Sequence, residues 1–225
     1  ALVAQAGVAG VAFTGSTAVA KAIQQTLAQQ PGPITALIAE TGGVNAMVVD
    51  STALPEQVAD AVVQSAFRSA GQRCSCLRRL GGHEAVADAV IEMVVGAAGT
   101  LRLGDPVDFS TDVGPLIDMA AHEGVQRQLQ ALRQRATKAW LVHSDVPAPW
   151  LAPQVLEVAR VSEVREEVFG PVLQVLRWRG DPAELVQAIN ALGYGLTLGI
   201  HSRTDGRAES LARLARVRNV YVNRN

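Results

Sequence analysis

Both cysteines of the chain stand in one short stretch, "SAGQRCSCL" at residues 69–77, where Gly71 and Arg73 precede Cys74 and Cys76 follows it. Three readings of Cys74 are open: a small buried hydrophobe, half of a metal or disulfide pair, or a nucleophile. A thiol at its ordinary pKa is mostly protonated at neutral pH. Nucleophilic use therefore needs a helix N-terminus, a cation or a base that favours the thiolate. Gly71 permits the tight backbone that would present Cys74 at a cleft and aim backbone N–H groups at a developing oxyanion. Cys76 sits in an alternating, strand-like pattern and reads as structural. Two cysteines one residue apart form no disulfide framework. A zinc site takes four suitably spaced ligands. Here Cys74-x-Cys76 is followed by His83, while His122, His143 and His201 are scattered, so no metal is expected.

Glu40 is the second residue with chemical promise. It ends the apolar run "ITALIAE" (34–40) and is followed by Thr41-Gly42-Gly43. A carboxylate leaving a sheet edge into a glycine turn lies where open α/β sheets bind ligands. Partly desolvated, it could act as a general base near neutrality. The plainer alternative is a solvated turn carboxylate, and Glu40 alone leaves both open.

These residues need elements to hold them. "GVAFTGS" (10–16) is a strand-length run ending in Thr-Gly-Ser, and "TAVAKAIQQTLAQQ" (17–30) is helix-forming until Pro31-Gly32-Pro33 stops it. With the runs at 34–40 and 45–50, this order predicts a parallel unit with a crossover helix. "LPEQVADAVVQSAFRSA" (54–70) is a helix with Pro55 in its first turn and Val58, Val62 and Ala66 on one face, and it delivers the chain to Gly71 and Cys74. Further helices are expected at about 84–98 and 119–135, then at 182–192 and 206–217. Strands are expected at 138–143, 153–158, 196–202 and 219–223. The fold class is α/β throughout, without internal repeats or low-complexity linkers.

Composition narrows the function class. The chain has 225 residues, 48% of them hydrophobic, with a formal net charge of −1. That is a globular composition with no electrostatic reason to bind nucleic acid or an anionic membrane. The Arg-bearing stretches at 127–135 and 213–218 read as solvated helix faces. No apolar run is long enough to span a membrane, and no signal-peptide pattern appears. The apolar start without Met, with Lys21 the one charge before Glu40, suggests a fragment that begins inside a buried region. A reducing, cytoplasmic setting is expected from the cysteine usage.

Four motifs in series, "FTGST", "ETGG", "GQRCS" and "EEVFGP", resemble the aldehyde dehydrogenase superfamily over essentially the whole chain. Within it, "ETGGVNAMVVD", "SAFRSAGQRCS", "LRLGDP", "DVGPLID", "YGLTLGIHSRTD" and "NVYVNRN" resemble the L-glutamate γ-semialdehyde dehydrogenase modules of bifunctional proline-catabolic enzymes. Other aldehyde dehydrogenases more often carry Leu where Thr41 stands. The resemblance implies NAD+-dependent oxidation of L-glutamate γ-semialdehyde to L-glutamate, the second step of proline breakdown. It makes residues 1–43 the end of a Rossmann-like NAD domain and 44–225 most of the catalytic domain.

Roles follow by resemblance. Cys74 attacks the aldehyde carbon, its own N–H helps hold the oxyanion, and Glu40 activates the water that hydrolyses the resulting thioester. Gly15 and Ser16 open a helix at the cofactor diphosphate, and Thr41 lies beside the nicotinamide. Glu167 binds the nicotinamide ribose hydroxyls, and Phe169 packs at the nicotinamide. On their own residues, Ser16 is equally an N-cap and Phe169-Gly170-Pro171 a packed turn. The resemblance further implies a homo-oligomeric parent and a small aldehyde as the partner molecule. FAD would belong only to a proline dehydrogenase domain elsewhere in the parent. The family's upstream cofactor strands, its oxyanion-hole asparagine, its substrate-anchoring glycine loop and its oligomerisation hairpin are not in this sequence.

Two local departures stand out. Arg79, Gly81 and Gly82 interrupt the largely apolar strand expected after Cys74, and a buried Arg there needs a partner. Arg218 stands where the family usually has Gly, at a cost of about 1 kcal/mol if that position needs a positive φ.

Overall fold

The computed structural model describes residues 2–142, 146–163 and 166–224. The chain divides into two compact units, Ala1–Gly42 and Gly43–Asn225. In the first, strand β1 (Gly10–Thr14), helix α1 (Thr17–Ala28) and strand β2 (Ala36–Glu40) form a βαβ unit. The strands are parallel, with Gly10 opposite Ala36 and Thr14 opposite Glu40. Ser16 caps α1 by accepting the Val19 N–H. α1 buries only Ala20 and Leu27, and Leu2, Val19, Ile34 and Ile38 are exposed, so this unit has little core of its own.

The second unit is built on a seven-stranded sheet. In chain order its elements are β3 (Asn45–Val49), α2 (Pro55–Phe67), β4 (Leu77–His83), α3 (Glu84–Gly99), α4 (Met119–Arg133), β5 (Lys138–Leu141), β6 (Gln154–Glu157), β7 (Val172–Trp178), α5 (Pro182–Asn190), β8 (Thr197–His201), α6 (Asp205–Leu214) and β9 (Asn219–Val222). The spatial order is β5-β6-β7-β4-β3-β8-β9, parallel except for the β5–β6 pair. The expected strand end at His143 lies outside the described residues.

Side-chain alternation explains the layers. Met47 and Val49 of β3 join Leu80 of β4, Val175 of β7 and the apolar faces of α2 and α3 in one core. Ala46 and Val48 join Leu198, Ile200, Leu176 and the inner faces of α5 and α6 in a second. α4 packs through Val125, Leu129 and Leu132 on a third cluster with Leu116, Leu151, Leu156 and Val168. β7 is a strand the turn and helix signals did not reveal. Its run Val172–Leu176 is buried throughout, as a central parallel strand covered by helices should be.

The interruption expected in β4 does not occur. The strand runs through Arg79, Gly81 and Gly82 almost wholly buried, paired to β3 on one side, with a register shift that skips Arg78, and to β7 on the other. A Cβ on Gly81 would lie 2.7 Å from Leu185 of α5, so glycine here admits close helix–sheet packing. Arg79 donates from Nη1 to the Val161 carbonyl, while its Nε and Nη2 lack partners among the described residues. Burial pushes its guanidinium down to about 10. Arg218 carries no φ cost: the non-glycine residues with positive φ among those described are Ser69, Ala70 and Asn223.

Two buried groups at the ends of β3 and β8 contribute to the response of this unit's stability to acid. His201 is 1% exposed, both ring nitrogens lack partners among the described residues, and burial pushes it down to about 4. Because the unfolded ring titrates near 6.5, the unfolded chain binds the extra proton between about pH 6.5 and 4. Stability is full above that window and falls through it, by up to about 3 kcal/mol. For Asp50, burial favours the neutral form, but the Ser202 and Thr52 hydroxyls and the Arg207 guanidinium outweigh it and hold the carboxyl below its ordinary range. Its contribution is therefore lost only at lower pH. Urea midpoints of the natural protein containing this chain should fall between pH 6.5 and 4, and His201→Leu should flatten that slope. Parallel midpoint-against-pH curves for the two proteins would refute the assignment to His201.

Candidate active site

Cys74 sits in the connection between α2 and β4. After Phe67 the backbone turns through three successive left-handed residues, Ser69 (φ 56°), Ala70 (φ 51°) and Gly71 (φ 66°). Such conformations cost non-glycine residues about 1 kcal/mol each, and they persist where the surroundings enforce them. At Gly71 no side chain fits at all, since a Cβ would lie 2.1 Å from the Gly170 carbonyl oxygen. The turn then closes around Cys74 and Ser75 as the Cys76 N–H donates to the Arg73 carbonyl at 3.1 Å. Cys74 is half-buried, Ser75 exposed, and Cys76 fully buried as expected of a structural thiol.

Polar side chains hold this turn from below. Asn45 Nδ2 donates to the Cys74 carbonyl (2.7 Å) and the Cys76 carbonyl (2.9 Å), and its Oδ1 accepts from the Thr197 N–H (3.1 Å). Gln72 ties the same loop to the 115–117 segment: its Nε2 donates to Pro115 O at 3.2 Å, and its Oε1 accepts from Ile117 N at 2.8 Å. Asn45 and Gln72 were not singled out by the sequence. Asn45 could have been, as a polar residue heading an otherwise apolar strand.

Glu167 and Phe169 lie in the same unit, beside this turn. Glu167 Oε1 accepts from Arg78 Nη2 (2.8 Å) and Nε (3.3 Å), and its Oε2 accepts from the Gly43 N–H (3.2 Å). Its carboxylate is 14% exposed, and the half-open Phe169 ring lies 5.5 Å from the Arg78 guanidinium. A carboxylate rim beside an exposed aromatic face suits a ribose and a flat heterocycle. The Arg78 side chain, which sequence reading passed over, thus joins Glu167 and Phe169 to the Gly71 and Arg73 carbonyls of the turn that leads into Cys74.

Gly15, Ser16, Glu40 and Thr41 gather within the first unit. The Gly15 N–H donates to the Glu40 carbonyl at 3.1 Å, and Thr17 Oγ1 donates to the Thr41 carbonyl at 3.4 Å. Ser16 is the N-cap of α1, with its hydroxyl turned to Val19 N at 3.3 Å. The N-cap reading therefore holds. It leaves the first-turn amides of Thr17 and Ala18 without intrahelical acceptors, the arrangement that favours a phosphate. Glu40 is half-buried at the end of β2, with its neighbour Thr41 likewise half-buried.

Comparison with known proteins agrees with these motifs. The profile of the aldehyde dehydrogenase family matches residues 1–225. The bifunctional protein PutA of Klebsiella aerogenes is 46% identical over 237 residues, an alignment that covers 100% of this chain and 18% of that protein. A crystal structure of bifunctional proline utilization A superposes with a TM-score of 0.95 at 50% identity, covering 100% of this chain and 23% of that one. A 1-pyrroline-5-carboxylate dehydrogenase from Thermus, solved with bound NAD, superposes with a TM-score of 0.91 at 31% identity over 100% of this chain and 44% of that one. The chain thus spans about a fifth of the length of its PutA relatives.

Proposed function

This chain belongs to the aldehyde dehydrogenase family, and from that premise we propose that it carries the nucleophile and part of the cofactor site of an NAD+-dependent dehydrogenase. The proposed reaction oxidises L-glutamate γ-semialdehyde to L-glutamate. In it, the Cys74 thiolate adds to the aldehyde carbon, and the Cys74 N–H holds the oxyanion of the thiohemiacetal. Bound NAD+ supplies the hydride acceptor. Loss of that hydride leaves a thioester on Cys74. Glu40 takes a proton from water, which attacks the acyl carbon, and the Cys74 thiolate leaves. Gly15, Ser16 and the first turn of α1 bind the diphosphate, Thr41 lies at the nicotinamide, and Glu167 and Phe169 orient the ribose and ring. The first 42 residues accordingly form the end of the cofactor domain and the remainder most of the catalytic domain.

The observation that carries this reading is the Cys74 turn, locked against the Glu167–Gly170 segment through one buried guanidinium. Similarity to PutA and to a pyrroline-5-carboxylate dehydrogenase supports the choice of aldehyde. The alternatives are another aldehyde, or a member of the family kept for assembly alone. The presence of both Cys74 and Glu40 speaks against the latter. A substrate panel tests the reading. The natural protein that contains this chain should show a kcat/KM for L-glutamate γ-semialdehyde at least about 100-fold above that for propionaldehyde, because the amino and carboxylate groups add charged contacts a short alkyl chain lacks. Equal values for the two would remove the proposed substrate while leaving the aldehyde chemistry intact.

A further inference from the structure

We infer that Arg78 is a positioning residue for the proposed dehydrogenase reaction, holding the Cys74 turn and the Glu167 carboxylate in one fixed arrangement. The inference rests on the proposed roles of Cys74 and Glu167. Arg78 is 1% exposed, yet each of its N–H donors has an acceptor. Nη1 donates to the Gly71 carbonyl (2.7 Å) and the Gly170 carbonyl (3.1 Å). Nη2 donates to the Arg73 carbonyl (3.1 Å) and to Glu167 Oε1 (2.8 Å), and Nε reaches the same oxygen at 3.3 Å. The identity of these acceptors matters more than their number. Gly71 and Arg73 are the carbonyls that lead into Cys74. Glu167 and Gly170 bracket Phe169, the other side of the site. One planar fork therefore sets the position of both.

A purely stabilising role accounts poorly for this arrangement. A buried ion pair seldom improves on well-packed apolar residues, because both ions lose their hydration. Here the pairing fixes backbone carbonyls in a turn of three left-handed residues, and it directs Glu167 so that Oε2 faces Gly43 rather than Arg78. A lysine in this place keeps the charge, but it has three donors on a flexible stem and cannot reproduce the fork.

The test compares Arg78→Lys with wild type in the natural protein, with active sites counted by stoichiometric alkylation of Cys74. Per titrated thiol, kcat should fall at least about tenfold and KM for NAD+ should rise at least about threefold, because small misplacements in a reacting geometry have such effects. A merely structural role would lower the number of titratable sites and leave both constants per site unchanged. Values of both within twofold of wild type would overturn the inference. If Arg78→Lys does not fold, the paired R78M/E167Q variant replaces the buried charges by neutral groups and is compared with Glu167→Gln alone. The cofactor-free alkylation rate of Cys74 should then differ at least about fivefold between the two, and equal rates would overturn the inference. The underlying reading fails separately, if Cys74→Ala retains turnover in an otherwise unaltered protein.

Discussion

Replacement of Cys74 by alanine is expected to lower aldehyde oxidation by at least about a thousandfold while NAD+ binding survives, because removing a covalent nucleophile abolishes the intermediate itself. No neighbouring group can take over. Cys76 is fully buried beneath the turn and its carbonyl is held by Asn45. Ser75 is exposed, but an unactivated hydroxyl is a far poorer nucleophile than a thiolate. The proposed cofactor contacts of Glu167, Phe169 and the α1 N-terminus do not pass through the thiol, so calorimetric NAD+ affinity should stay within about threefold of wild type. Retention of about a tenth or more of wild-type kcat would remove Cys74 from its role.

The Glu40→Gln variant should separate the two halves of the reaction. A general base that activates the hydrolytic water is worth about 10²–10⁴-fold. The step before it, thiolate addition and loss of hydride, does not require that base. Rapid mixing with aldehyde and NAD+ should therefore give a burst of NADH close to one equivalent per active site, followed by a slow steady state. An equal fall in burst rate and steady state would place Glu40 in the first chemical step or in the fold of the β2 turn, where its backbone carbonyl already accepts from Gly15.

Much of the architecture could be read in the sequence because its elements carry local signals. Pro55 with the Val58-Val62-Ala66 face marked α2, and Ser16 with the breaker at Pro31 bounded α1. β7 lacked such a signal: a buried parallel strand is a plain apolar run, and its neighbouring motif drew attention to chemistry instead of to pairing. The adjacent arginines of β4 show where local reading stops. Arg79 looked anomalous and, among the described residues, its one hydrogen-bond partner is the Val161 carbonyl, with no link to the proposed chemistry. Arg78, one residue earlier and beside the register shift between β3 and β4, binds the Cys74 turn to Glu167. Its acceptors lie 5, 7, 89 and 92 residues away, and no pattern of spacing could bring them together before the sheet order was known.

Quenched-flow mass spectrometry of Glu40→Gln tests the covalent route most directly. Wild type and variant are mixed with L-glutamate γ-semialdehyde and NAD+, stopped in acid, digested and mapped. The expected result is a glutamyl adduct confined to the peptide bearing Cys74. It should appear at the rate of the NADH burst, approach full occupancy in Glu40→Gln, and stay at low occupancy in wild type. NADH formation at the burst rate with Cys74 unmodified throughout, or with the adduct on another residue, would contradict it.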